Sequence, residues 1–246
     1  MRSRRSLFVL AILTFLVGLV VMFPARVAYH WFGVSSVASL SGISGTLWSG
    51  QARELSASGI YLSDVTWTLR PRYLLTGQVL LAMKAKPVSG FLEADVGVDF
   101  GGALSLTDLT ASLPLAPLAV PLRVPGLQGN ASLQFERIKV VDRLPVAADG
   151  SVTVADFSAR LIYRGNLGGY KAEFFTQNTG VAASVEDTDG VIDLAGSLQI
   201  GADRNYQFLG KVAPKADTPQ ALRNQMRILG NPDARGQYEL RLEGVL

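Results

Sequence analysis

The sequence contains no cysteine and only one histidine, His30. The absence of cysteine excludes disulfides, thiolate catalysis and the common cysteine-containing zinc sites. A catalytic triad or a histidine metal site needs partners that one histidine does not have, so His30, beside Trp31 and Phe32, is expected to be an interfacial residue without a further role. The sequence alone does not exclude a catalytic Ser-Lys pair, but it contains no nucleophile-elbow or penicillin-binding signature. The sequence therefore predicts no catalytic residue, no cofactor and no enzyme activity.

One acidic run is the strongest candidate for a metal site. Glu186-Asp187-Thr188-Asp189-Gly190 has the oxygen ligands that Ca²⁺ prefers, but it lacks the later acceptor positions of an EF-hand loop. Asp-Gly is a common hairpin dipeptide. A solvated turn is therefore favoured there, and no metal site is predicted.

Outside the N-terminus, the chain also has no excess of positive over negative residues. The chain has 23 Lys and Arg against 20 Asp and Glu, and Arg2, Arg4 and Arg5 account for the difference. Nucleic-acid binding needs clustered basic residues. No nucleic-acid partner is expected.

The first long feature that is present is an apolar run, Leu7 to Phe23, without a single charge. Its length is just enough for a membrane helix, which needs about 17 to 25 residues. Because the three arginines precede it, the positive-inside rule predicts a cytoplasmic segment over residues 1–6, a transmembrane helix over 7–25, and residues 26–246 on the far side. The residues expected to form the anchor are Leu7, Phe8, Leu10, Ile12, Leu13, Phe15, Leu16, Leu19, Val20 and Phe23.

A cleaved signal peptide is the alternative to this anchor. Signal peptides have apolar cores of about 7–15 residues and a small-x-small cleavage site. The run in this chain is longer, and Phe23-Pro24-Ala25 places a bulky side chain where a small one is needed. An uncleaved anchor is favoured.

Beyond the anchor, apolar and polar residues alternate in short runs separated by turn dipeptides. Period two is typical of strands buried on one face, and short turns between consecutive strands indicate an antiparallel meander. The runs lie at residues 65–69, 79–83, 96–100, 131–135, 159–163, 170–174, 192–200, 206–212 and 238–242, with turns expected at 101–102, 149–150, 168–169, 189–190 and 203–205. The fold class predicted is mainly β, a curved or two-halved antiparallel sheet.

Two segments break this pattern. Thr218 as cap, Pro219 at the first helical position and Gly230 as terminator predict one short helix. Four prolines within residues 113–126 exclude a helix or a central strand. That stretch is expected to be an extended connector between two sheet halves.

Trp48 and Trp67 are the large apolar residues on predicted strands. Core packing is the favoured role, with the floor of an apolar groove or a partner contact as the alternative. The glycines that flank Trp48, Gly45 and Gly50, do not form a phosphate loop, because no Gly-Lys-Ser/Thr follows.

The order of these motifs resembles the type II secretion system protein N family. The resemblance rests on Gly-Thr-Leu-Trp-Ser-Gly at residues 45–50, Val-Thr-Trp-Thr-Leu-Arg-Pro at 65–71, Leu-Leu-Thr-Gly at 74–77, the proline-rich stretch 113–129 and the tail 228–246. It covers nearly the whole chain. The motif positions, expected to be structural or partner contacts, are Gly45, Leu47, Trp48, Gly50, Trp67, Pro71, Gly77, Gly230, Pro232 and Gly236.

The resemblance implies an accessory inner-membrane component with a periplasmic domain. Its partners would be other components of the secretion system, and the family supplies no catalytic residues. A looser likeness to AsmA-like periplasmic proteins implies a second possibility, an apolar groove that binds lipid or another hydrophobe. An enzyme is the third alternative, and no motif favours it.

Overall fold

The computed structural model describes residues 2–31, 38–57, 59–87, 89–120, 124–161 and 163–246. Within these ranges, an N-terminal helix α1 (Arg2–Val21) is followed by a short helix α2 (Ala25–Trp31), fourteen strands and a late helix α3 (Gln220–Met226). The strands are β1 (Ser39–Ser41), β2 (Ser44–Gly45), β3 (Ser49–Ala57), β4 (Ile60–Leu69), β5 (Gln78–Pro87), β6 (Phe91–Asp99), β7 (Leu104–Pro114), β8 (Gln128–Val141), β9 (Leu144–Ala159), β10 (Tyr163–Gln177), β11 (Gly180–Asp187), β12 (Ile192–Gly201), β13 (Asn205–Pro214) and β14 (Tyr238–Val245).

All fourteen strands belong to one antiparallel sheet. From β3 onward each strand pairs with the next one in sequence, while β1 and β2 both pair with β3. The prediction of a mainly β meander is confirmed. The expectation of two halves is wrong, because β7 and β8 pair directly from Leu104↔Val140 to Pro114↔Asn130.

The proline-rich stretch is not simply extended. β7 continues through Pro114, and a 3-10 turn follows over Ala116–Leu118. Residues 121–123, which include Pro121, lie outside the described residues. Leu115 and Leu127, at the two ends of the connector, are buried against Ala131. The connector therefore covers part of the sheet instead of dividing it.

The sheet has one apolar and one polar face, as its period-two sequence requires. In β8, Ala131, Leu133 and Phe135 point to the buried side, while Ser132 and Gln134 are exposed. The apolar side is continuous across strands, because the register aligns its residues in rows. One row is formed by Ala111, Leu133, Val152, Ala172 and Val185.

Three of the β-bulges that bend this sheet each contain an aspartate in the left-handed backbone region. Asp64, Asp108 and Asp156 have φ values of 49°, 51° and 52°. They coincide with register shifts between β4 and β5, β6 and β7, and β8 and β9. Bulges bend a strand and increase its twist. They therefore help to curve the apolar face inward.

Three predicted boundaries are wrong. The run predicted at residues 159–163 is not one strand, because Ala159 ends β9 and Tyr163 begins β10. Asp149-Gly150 and Gly168-Gly169 are not turns, because they lie inside β9 and β10. The two glycine-containing pairs occur at or beside register irregularities, where glycine serves a bulge as readily as a turn.

The late helix is confirmed, but its predicted cap is not. Pro219 occupies the N-cap position, without a side-chain hydrogen bond, one residue earlier than the first helical position expected for it. Thr218 instead uses its hydroxyl to donate to the Val191 carbonyl, 2.5 Å away, and to accept from the Lys215 N–H at 2.6 Å. Gly230 ends the 3-10 extension of the helix with φ 118°, as predicted.

The helix α1 covers most of the predicted anchor. Its described apolar side chains, such as Phe15 at 69% exposure, contact little of the sheet. Among the described residues, no helix combines the length and the apolar content needed to cross a membrane. Met1 lies outside the described residues, and the side chains of Arg2, Arg4, Arg5, Leu7, Phe8, Leu13 and Leu16 are likewise outside them.

Candidate functional site

The Gly-Thr-Leu-Trp-Ser-Gly motif forms the tip of the β2–β3 hairpin. Gly45 and Gly50 face each other across the hairpin, and Gly45 has φ 91°, which favours glycine. The Thr46 N–H donates to the Ser49 carbonyl at 2.9 Å, and the Ser49 N–H donates to the Thr46 hydroxyl at 3.2 Å. The motif is therefore a tight, self-bonded turn.

This hairpin tip holds the end of α1. The Leu47 N–H donates to the Phe23 carbonyl at 2.9 Å, and the Trp48 indole N–H donates to the Val20 carbonyl at 2.8 Å. The last four carbonyls of a helix lack intrahelical partners. The Val20 carbonyl also accepts from the Phe23 N–H at 3.3 Å, and Trp48 adds a second, shorter hydrogen bond there. It lies in the turn, so the prediction that it belongs to a strand is wrong.

Trp67 lies on β4, as predicted, directly opposite Gly50. Its indole N–H donates to the Thr46 carbonyl at 3.3 Å, and its ring lies over Gly50 so closely that a β-carbon there would be 2.8 Å from Trp67 Cε2. The ring is half-buried and packs in an apolar cluster with Val65 and Met83. We call the joint made by Val20, Phe23, the hairpin tip 45–50 and Trp67 the helix–sheet junction.

The helix α2 covers the apolar face of the sheet beside this junction. Its Ala25 and Ala28 are buried at 5% exposure each. The Tyr29 hydroxyl fixes the chain that follows, donating to the Ala38 carbonyl at 2.9 Å and accepting from the Leu40 N–H at 3.2 Å. Between α2 and the sheet lies a cavity of about 260 Å³. Its lining includes Ala25, Ala28, Leu55, Val65, Trp67 and Met83.

A second cavity of about 720 Å³, lined by both charged and apolar residues, adjoins the first, and Ile43 lines both. Among its charged residues, Lys84 pairs with Glu93 at 2.9 Å and Lys86 pairs with Asp64 at 3.3 Å. Arg26 and Arg53 also line it, and within the described residues neither has a carboxylate partner. The charged residues that line this second cavity therefore carry an excess of two positive charges.

The other motif residues fall into two further groups. Pro71 begins a 3-10 turn that Gly77 ends with φ 78°. This turn is tied to the junction, because the Leu69 N–H at its base donates to the Trp48 carbonyl at 2.7 Å. Gly230, Pro232 and Gly236 belong to the segment before β14, at the opposite end of the sheet. The motif thus marks both ends of the sheet, not one site.

The strand β14 is the last in the sheet. Within the described residues it pairs with β13 alone, so one side of its backbone has no strand partner. Its apolar Leu242 is 52% exposed although it lies opposite Phe208 on the apolar face. The loop ahead of it is pre-formed by Asp233, whose carboxylate accepts from the Arg235 N–H at 2.8 Å and the Gln237 N–H at 3.0 Å. These two hydrogen bonds hold the pKa of Asp233 below its ordinary value, and the bond from the Gln237 N–H has the larger effect.

The acidic run at residues 186–190 forms part of the β11–β12 turn. Burial alone would raise the pKa of Asp187, but hydrogen bonds from the Lys215 ammonium and the Leu194 N–H outweigh it, so the pKa is lowered. The neighbouring Tyr170 is half-buried, and burial together with the charges of Asp187 and Asp189 raises its pKa to about 12. Asp187 is therefore committed to a structural ion pair. Of the residues described, no three His, Asp or Glu converge as metal ligands.

The sequence patterns alone did not locate the two cavities or identify β14 as the open edge. The Gly-Thr-Leu-Trp-Ser-Gly motif did mark the junction in the sequence. The contact that Trp48 of this motif makes with α1, however, joins residues 28 positions apart. Arg26 and Arg53 carry no motif, because they come from different elements that only the fold brings together.

The fold and junction define a class: a helix joined end-on to a single curved antiparallel sheet whose last strand, β14, is an open edge. Within that class, the profile described as Type II secretion system (T2SS), protein N matches residues 37–241. Type II secretion system protein N of Vibrio cholerae serotype O1 (strain ATCC 39315 / El Tor Inaba N16961) is 29% identical over 241 residues, which are 93% of each chain. The protein of the same name from Aeromonas hydrophila is 28% identical over 254 residues, 97% of this chain and 96% of that one. No solved structure matches significantly. The chain belongs to the type II secretion system protein N family.

Proposed function

We propose that this protein is an accessory component of the type II secretion system that acts through protein–protein contacts and performs no catalysis. The N-terminal helix anchors it in the inner membrane with the N-terminus in the cytoplasm, and the sheet lies in the periplasm. Family membership supports the assignment to the secretion system. The charge-free run Leu7–Phe23 and the preceding arginines support the anchor and its orientation.

The single observation that carries the contact role is the open edge of β14. An edge strand presents unpaired N–H and C=O groups, to which an extended segment of another protein can add as a further strand. This edge is eight residues long, whereas β1 at the other end of the sheet has three. Outward charges on Glu239, Arg241 and Glu243 would set which segments bind, since they discourage pairing with an unrelated apolar strand.

Single cysteines test this role cleanly, because the natural chain has none. In cells with an intact secretion system, Glu239→Cys and Glu243→Cys on β14 are expected to give thiol-crosslinked adducts that contain other secretion components. Ser132→Cys, exposed on the polar face of β8, is the matched control and is expected to give none.

Deletion of the protein accompanies this experiment. Secretion or assembly is expected to decline without the chain and to return when the native chain is supplied. Equal adducts from Ser132→Cys and from β14 would reject the edge as the docking surface. Unchanged secretion and unchanged assembly after deletion would reject the function itself.

A further inference from the structure

We infer that the apolar cavity beneath α2 is a binding site for one acyl chain of an anionic phospholipid, whose phosphate is bound by Arg26 and Arg53. Nothing in the family membership assigns a ligand to the chain. The membrane source of the lipid rests on the proposed anchor, whereas the binding site rests on the cavity itself.

The first argument is the lining of the cavity. Its walls are almost wholly apolar, and the one indole N–H at the wall, from Trp67, is already bonded to the Thr46 carbonyl. Protein interiors contain few voids larger than a water molecule. An engineered apolar cavity of about 150 Å³ stays dry and binds benzene. A cavity of about 260 Å³ is larger, so it suits an apolar ligand better than water.

The second argument is how the void arises. The roof is made of alanines, Ala25 and Ala28, where a larger side chain would have filled the space above Val65 and Met83. The Tyr29 hydrogen bonds to Ala38 and Leu40 hold the chain beside this roof. The roof is therefore fixed at a distance that small side chains do not fill.

The third argument is position. Leu47 lines the cavity while its N–H bonds the Phe23 carbonyl, just beyond the end of α1. Exposed apolar side chains, including Val21 and Met22, precede that point. An acyl chain that leaves a bilayer along α1 would thus meet the cavity without crossing a polar surface.

The fourth argument is charge. The adjoining cavity shares Ile43 with the apolar one, and its two excess positive charges come from Arg26 and Arg53. Arginine binds phosphate oxygens through paired N–H donors. An amphiphile with an anionic phosphate beside its acyl chain satisfies both cavities at once, which an uncharged hydrophobe does not.

Fluorescence quenching of the full chain in detergent micelles tests the inference. The probe is phosphatidylglycerol with brominated acyl chains, and Trp31→Phe removes the 75% exposed tryptophan. Saturable quenching is expected in this background. Ala28→Leu fills the cavity and is expected to remove the saturable part while leaving the melting temperature unchanged or higher. Ala25→Val, a smaller addition to the same roof, serves if the first variant does not fold.

The headgroup contacts have their own comparison. Arg26→Gln combined with Arg53→Gln is expected to raise the half-saturating concentration of phosphatidylglycerol about tenfold, because hydrogen bonds to a charged group are lost. The same lipid with a zwitterionic choline headgroup is expected to bind more weakly and to respond less to this change. Arg235→Gln, at an exposed residue in the loop before β14, is the control.

Undiminished saturable quenching in Ala28→Leu would overturn the cavity as the acyl-chain site. Protein adducts from Met83→Cys in cells, without quenching by the lipid, would overturn it in favour of an apolar segment of a partner. Equal affinities in the arginine variants would overturn the phosphate contact. The β14 adducts do not depend on the cavity, so their survival in Ala28→Leu would separate failure of this inference from failure of the proposed secretion role.

Discussion

Three aspartates illustrate how single residues shape this sheet. Asp64, Asp108 and Asp156 each adopt a left-handed backbone conformation, which is uncommon outside glycine but several-fold enriched in Asp and Asn. Each is followed by an apolar residue and then by Thr or Ser, as in Asp64-Val65-Thr66. At the bulge, the strand has one residue more than its partner strand. The apolar residue that follows the aspartate still points to the buried face. The aspartates are therefore bending points, although period-two alternation alone would have placed them on an ordinary strand.

Asp187 is the residue whose protonation is expected to affect stability most directly. Its side chain is 9% exposed and paired with Lys215, and its pKa is lowered. Because the folded state binds this proton less readily than the unfolded chain, the pair contributes stability above the unfolded pKa of about 4, and that contribution is lost as the pH falls through the lower folded pKa.

Replacing Asp187 by Asn is expected to lower stability at neutral pH and to flatten its dependence on pH in the acidic range. The measurement is the urea midpoint of the full chain in detergent between pH 3 and 7. Glu186→Gln, at the exposed neighbouring residue, is expected to keep the native slope. An unchanged slope in Asp187→Asn would mean that other carboxylates carry the acid sensitivity.

At the scale of elements, alternation predicted most strands because one face of the sheet is buried along its length. The strands found this way are β4, β5, β6, β8, β10, β12, β13 and β14. The strands that were missed include the short β1 and β2, the bulge-interrupted β7 and β9, and also β3 and β11, where the alternation was not recognised. At a bulge the period shifts by one residue, so a pattern of strict alternation fails there.

The candidate site was less predictable than the strands. The hairpin glycines were singled out by sequence, but the partner of Trp48 is a helix carbonyl 28 residues away. Nothing local signals that contact, since a helix end offers the same free carbonyls to any donor. The cavity depends on Ala28, a residue without a motif whose small size matters only once α2 lies over the sheet.

The helix–sheet junction depends on the close approach of Trp67 to Gly50. A β-carbon at Gly50 would meet Trp67 Cε2 at 2.8 Å and the Ser44 carbonyl oxygen at 2.7 Å. Gly50→Ala is therefore expected to destabilise the protein by about 1–3 kcal/mol through overpacking. Urea unfolding followed by tryptophan fluorescence measures the loss.

The matched comparison is a double-mutant cycle, in which Gly50→Ala and Trp67→Leu are measured singly and combined in one protein. The smaller side chain removes the ring contact, so the double variant should lose less than the two single losses combined. Strictly additive losses would show that the ring and the glycine do not interact. A Gly50→Ala protein as stable as the native one would contradict the close approach itself.

For the whole molecule, one apolar face runs from the helix–sheet junction to the open β14 edge. All described strands lie in a single sheet, and within the described residues α2 and the connector around Leu115 and Leu127 cover part of this face. It is closely buried in the middle strands, whereas β12 is only half-buried on the same face. A molecule built this way has two distinct ends, and the proposed anchor decides which end is near the membrane.

Orientation of the whole molecule is expected to depend on charge at the very start of the chain. Arg2, Arg4 and Arg5 are the only basic residues ahead of the apolar run. Replacing all three by Gln removes the positive-inside signal and should place the C-terminus on the cytoplasmic side in a substantial fraction of molecules. A phosphatase that is active only after export, fused after Leu246, would then lose activity.

The control replaces three other arginines by Gln: Arg227, Arg235 and Arg241, all exposed near the C-terminus. This variant is expected to leave the reporter unaffected. Full activity in the N-terminal variant would show that Arg2, Arg4 and Arg5 are not required for orientation. Arg26 and the aromatic residues after the run would then be enough to orient the chain.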